Sequence, residues 1–69
     1  MTFILLKVKD KETAKLATLI IPCKNYNIRM SVFEDYYYVI GKDVDLEKLD
    51  LNQLLKNPNI LEILCRREG

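Results

Sequence analysis

Apolar residues along this chain follow two different periods, and the switches between them mark out six elements. A period of two runs through Thr2 to Lys9, through Asn27 to Phe33, through Tyr36 to Lys42, and through the residues that follow Asn59, which is the spacing of β-strands. Between the first and second of these, Ala14, Leu16, Ala17, Ile20 and Ile21 fall at helical spacing. Between the third and fourth, Leu46, Leu49, Leu54 and Leu55 do the same. The order is therefore β-α-β-β-α-β, an α+β pattern in which residues 1–69 form one domain.

Local chemistry supports each boundary. Asp10 stands where a helix N-cap is wanted, with Glu12 in the first turn and Pro22 to end the helix. In NIRMSVFEDYYYVIGK, a two-residue turn at Glu34 and Asp35 would pair Phe33 with Tyr36, Ser31 with Tyr38 and Arg29 with Ile40. Glu-Asp is not the preferred chemistry for such a turn, so a four-residue loop from Phe33 to Tyr36 is the alternative, and either loop keeps the same residues on the same face. Ile28, Met30, Val32, Tyr37 and Val39 are assigned to the core. Asp43 or Asp45 caps the next helix, and Asp50 with Gln53 resembles a capping box that would split that segment into a short turn and a second helix. In the last strand Leu61, Ile63 and Cys65 point inward.

This order is that of a ferredoxin-like two-layer sandwich, with an antiparallel four-stranded sheet in the order 4-1-3-2 and two helices on one face. Both crossovers are right-handed, so both helices cover the same side of the sheet and the other side is left open. The alternation puts Phe3, Leu5, Lys7, Arg29, Ser31, Phe33, Tyr36, Tyr38, Ile40, Glu62, Leu64 and Arg66 on that open side. Monomers seldom expose a contiguous apolar patch beyond about 300–600 Å². A covering partner is the natural reading, through Phe3, Leu5, Arg29, Phe33, Tyr36, Tyr38 and Leu64; the plainer one is that the tyrosine rings shield the sheet while their hydroxyls stay wet.

Composition narrows the classes further. At 69 residues and 49% apolar the chain is too apolar for disorder, yet it buries only about 60% of the surface its unfolded form exposes. Self-association is one way such a chain gains stability. Its net charge of +1, from 11 basic and 10 acidic residues, gives no general attraction to nucleic acid or anionic lipid. No run is long enough to span a membrane, and no leader pattern precedes the first strand, so the cytoplasm is the expected location. Cys23 and Cys65 match no metal-ligand spacing, and in the 4-1-3-2 order they lie about 14 Å apart, too far to bridge. They read as free thiols. The chain has no His, the commonest general base, and no Gly-rich phosphate loop, so neither enzymatic activity nor a cofactor is expected.

Three resemblances bear on partners. Aromatic residues on a four-stranded sheet beside Arg and Lys resemble RNA-recognition motifs, with Phe3, Tyr36 and Tyr38 at comparable places, and imply binding of single-stranded RNA or DNA; the third strand lacks that family's basic-Gly-aromatic start. The element order and the run NPNILEIL are similar to ACT-type regulatory domains, which implies a dimer with a small effector at its interface. That family's Gly-containing loop after the first strand is here Lys9-Asp10-Lys11. Asp10 together with Ser31 to Glu34, SVFE, resembles the small CRISPR-associated nucleases, but here the strand continues into YYYVIG and N-capping accounts for Asp10. A dimerising or partner-binding module is the reading the residues favour over these.

Overall fold

The computed structural model describes residues 2–67. Its elements are β1 (Thr2–Val8), α1 (Lys11–Ile20), β2 (Asn25–Met30), β3 (Tyr37–Lys42), α2 (Leu51–Leu55) and β4 (Ile60–Arg67). The strands form one sheet in the order β2-β3-β1-β4, and every neighbouring pair is antiparallel. β1 is central and alternates as predicted: Ile4, Leu6 and Val8 are fully buried under the helices, while Phe3, Leu5 and Lys7 on the other face are partly covered.

α1 starts where Asp10 accepts a hydrogen bond from the Thr13 N–H at 2.7 Å. The Thr13 hydroxyl and N–H together hold the Asp10 carboxyl below its ordinary value of 3.8. The sign follows directly. A carboxyl lowered by folding stabilises above its unfolded value, and that contribution disappears as pH falls through the folded one. Asp10→Ala should therefore melt below wild type at neutral pH, with the gap closing as acid protonates the cap, whereas Asp10→Asn should keep the cap and lose the pH dependence. Thermal unfolding over a pH series checks this; a gap of constant size would show that the carboxylate charge contributes nothing.

The buried stripe of α1 is Thr13, Ala14, Ala17 and Ile21 at its C-cap, not the expected set containing Leu16 and Ile20. Leu16 lies about 200° around the helix from Ala14, so a helix that seats its alanines on the sheet turns Leu16 outward. Close seating explains the choice, since α1 packs across β3 and β1 with small side chains between. Pro22 ends the helix, and Ile21 before it is already extended.

The hairpin differs from expectation by two residues. Arg29 pairs with Tyr38, Met30 with Tyr37 and Asn27 with Ile40, and the Ser31 N–H donates to the Tyr36 carbonyl at 2.9 Å. The connection is thus a four-residue loop, Val32 to Asp35, rather than a two-residue turn at Glu34 and Asp35. An even shift preserves which residues share a face, so Arg29 and Tyr38 stay together. It removes Val32 and Phe33 from the sheet, and they are 88% and 96% exposed. Met30 is also exposed, because β2 is an edge strand and only Ile28 and Tyr37 at that end pack on the core.

The second helical segment is split. A turn at Leu46–Lys48, held by the Asp45 carbonyl and carboxylate, precedes α2, and Asp50 caps α2 by accepting from the Gln53 N–H at 3.2 Å. Leu54 is the buried residue of α2, while Leu55, also assigned inward, is exposed. So short a helix covers little of β4. Ile63 packs on the core, whereas Cys65 is exposed, and a register irregularity opposite Lys7 and Val8 seats Ile60 inward and leaves Leu61 exposed instead of buried. Both cysteines are free, and burial pushes the Cys23 thiol up.

Candidate functional site

Ala14, Ala17 and Leu54 belong to one buried cluster with Ile4, Leu6, Val8 and Val39, so both helices lie on one side of the sheet. The registers order the opposite face into three rows that run across the strands. The middle row is Asn27, Ile40, Leu5, Leu64. On one side of it lies Arg29, Tyr38, Lys7, Glu62, and on the other Asn25, Lys42, Phe3, Arg66. An apolar band, Ile40, Leu5 and Leu64, with Phe3 beside it, is therefore flanked by two rows of charge. Leu64 is 57% exposed at the edge of this band.

Lys7, at the centre of its row, is already engaged. Its ammonium lies 3.6 Å from Glu34 and 4.4 Å from the centroid of the Tyr36 ring. Partial burial pulls the Lys7 pKa down, but Glu34, then Glu62 across the strand pair, outweigh it and leave the net shift upward. The hairpin loop supplies this counter-charge: Glu34 reaches back over the face from the very SVFE segment that the sequence suggests for other chemistry. A cation so compensated presents little free positive potential to a phosphate.

Two open depressions lie on the face. One, of about 390 Å³, is lined by Leu5, Lys7, Tyr38, Glu62, Ile63 and Leu64; the other, of about 290 Å³, includes Phe3, Ile40 and Arg66. Leu5 and Leu64 line both. Among the described residues no group of three or more Cys, Asp or Glu is placed to hold a metal ion.

The sequence-derived site residues fall into two groups. Phe3, Leu5, Arg29, Tyr38 and Leu64 share the sheet face, with the Tyr36 ring beside Lys7 at one end of it. Phe33 does not join them: it sits in the hairpin loop, because the register places Ser31 and Tyr36, not Phe33 and Tyr36, opposite each other. Glu34, Lys42, Asn25 and Asn27 are members of this surface that sequence reasoning missed. The polar Lys24-Asn25-Tyr26-Asn27 stretch hides the start of β2, and only the pairing with β3 reveals it. No helix among the described residues is long and apolar enough to cross a membrane. Comparison with protein-family models, with curated proteins and with solved structures finds no match for this chain.

Proposed function

We propose that this chain is a ferredoxin-like βαββαβ sandwich that acts as a small, non-enzymatic interaction module, docking through its open sheet face on a second copy or another protein. Read from the β4 edge, the strand order is 4-1-3-2, and one sheet face carries both helices, which supports that assignment. The observation that carries the functional reading is the apolar band of Ile40, Leu5 and Leu64, extended by Phe3, on the face that carries neither helix among the described residues. Aromatic side chains at its margin, Tyr36 and Tyr38, suit an interface core because they bury much area at small entropic cost. The two free thiols suit a reducing compartment, and the cytoplasm is the location we assign. Absence of a compensating role elsewhere for Asp10 and Glu34 would favour catalysis, but the first caps α1 and the second pairs with Lys7.

Among alternatives, single-stranded nucleic acid has Tyr38, Phe3, Arg29 and Lys42 in its favour and the engaged Lys7 against it. A small effector would have to bind the open depressions, of which the larger, about 390 Å³, lies at the low end of the volumes of ordinary ligand clefts. Analytical ultracentrifugation at micromolar concentration separates these readings. Wild type should sediment as a dimer or larger, and Tyr38→Asp should lower the mass, because covering an unpaired carboxylate is costly. A wild-type monomer, or an unchanged mass in the variant, would rule out a second copy as the partner of this face and leave the reading resting on another protein. Salt-sensitive binding of an unstructured oligonucleotide, lost in Tyr38→Ala, would put the nucleic-acid reading in its place.

A further inference from the structure

We propose that two copies of this chain pair along β4, antiparallel about a twofold axis at Leu64, so that their sheets join edge to edge and their open faces form one surface. Among the described residues β2 and β4 are the outer strands of the sheet, each with one edge unpaired by another strand. An unpaired edge exposes backbone N–H and C=O groups to which another strand can add, and long apolar edges without proline are the susceptible ones. β4 is eight residues long, ILEILCRR, has no proline, and exposes Leu61, Leu64 and Cys65.

What singles out β4, and a second copy as its occupant, is the order in which the three rows of the face reach each edge. At β4 they end in Glu62, Leu64 and Arg66, acidic, apolar and basic at successive same-face positions. A twofold axis at Leu64 reverses that order in the opposing strand. Leu64 then faces Leu64 of the second copy, Glu62 faces the second Arg66, and Arg66 faces the second Glu62. Every cross-strand pair on that face is favourable, and the two ion pairs arise from one symmetry operation. On the helix side the same register sets Ile63 opposite Cys65, while Leu61, the extra residue at the register irregularity, falls opposite Arg67. β2 offers no such match. Its same-face positions are Asn25, Asn27 and Arg29, which bring no opposite charge to a second β2 in any register.

The axis is perpendicular to the sheet, so both open faces end on the same side. Their middle rows become continuous, from Ile40 through Leu5 and Leu64 into Leu64, Leu5 and Ile40 of the second copy. The pairing uses the edge of the sheet rather than its face, and it therefore stands or falls separately from the open-face reading.

Charge exchange tests it. Glu62→Arg puts like charges opposite each other twice in the dimer, and so does Arg66→Glu. Each variant alone should associate about tenfold more weakly than wild type, or more so. An equimolar mixture of the two variants should regain the assembly, because one strand is then wholly basic at these positions and the other wholly acidic. Sedimentation with circular dichroism as a fold check reads this directly. Should either variant fold poorly, a second measurement remains: in a Cys23→Ser/Cys65→Ser background, Leu64→Cys should cross-link to itself under a mild oxidant, since directly opposed Cα atoms lie about 4.5–5.5 Å apart. Leu61→Cys should not, because its copies would be offset by six positions, about 20 Å. Single exchanges that leave association unchanged, a mixture that fails to recover, or cross-linking at Leu61 and not Leu64 would each overturn the proposal. If Glu62→Arg weakens the assembly and Tyr38→Asp does not, the edge stands and the covered face falls; the reverse result separates them the other way.

Discussion

Leu54→Ala should lower the stability of the fold by about 2–5 kcal/mol, the range for emptying a fully buried leucine site. Leu54 is 0% exposed and is the buried side chain of α2, a helix of five residues. Isolated helices of that length do not persist in water, so α2 exists because Leu54 anchors it in the buried cluster that also holds Ile4, Leu6, Val8 and Val39. The effect is large relative to the whole, since a domain of this size is stable by only about 3–10 kcal/mol. Leu55→Ala is the control. Leu55 is 64% exposed, so its truncation should cost no more than about 0.5 kcal/mol. Urea denaturation of both variants decides the matter, and equal midpoints would mean that α2 is not held as described.

Gly41→Ala should also destabilise, by about 1–3 kcal/mol, through overpacking. The site lies inside β3 without a positive φ, so no backbone strain opposes a side chain there, and strand propensity alone would favour the substitution. Space decides against it. A Cβ at Gly41 would lie 2.9 Å from the Ile4 Cγ2, 3.3 Å from the Cys23 Sγ and 3.5 Å from the Cys23 Cβ. Ile4 is fully buried and stiff at χ1, so it has little freedom to withdraw. Combining Gly41→Ala with Ile4→Ala should therefore cost less than the sum of the two, and a double-mutant cycle by chemical denaturation measures the difference. Strict additivity would place the clash somewhere other than Ile4.

The hairpin shows what the sequence could and could not convey. Alternation through Arg29, Tyr38 and Ile40 told which side chains share a face, because a period of two survives any even change of loop length. For the same reason it could not choose between registers two residues apart. The choice rests on the Ser31 to Tyr36 hydrogen bond, and with it the fate of Phe33, which moves from a paired strand position into the loop. The order of strands and helices was legible from periodicity, capping residues and Pro22. Burial at the edges was not, because Met30, Leu55, Leu61 and Cys65 are as apolar as core residues, and only the short reach of α2 and the outer position of β2 expose them. In α1, likewise, residue type pointed to Leu16, while the closeness of the helix to the sheet selected the alanines. The ion pair of Lys7 with Glu34 joins residues far apart in the chain and left no trace in spacing.

The ladder between β1 and β4 couples Thr2 to Arg67, the outermost described residues of the chain. Synthesis proceeds from the amino end, so β1, α1 and the β2–β3 hairpin leave the ribosome before the strand that flanks β1 does. During that interval β1 has β3 on one side and nothing on the other, and its backbone groups are open to any strand that passes. Pairings between distant segments also close slowly, because the intervening chain must lose its freedom before the contact forms. The nascent chain is thus most vulnerable to misassembly just before residues 60–67 emerge, and a holding chaperone should recognise that unfinished sheet rather than the completed one.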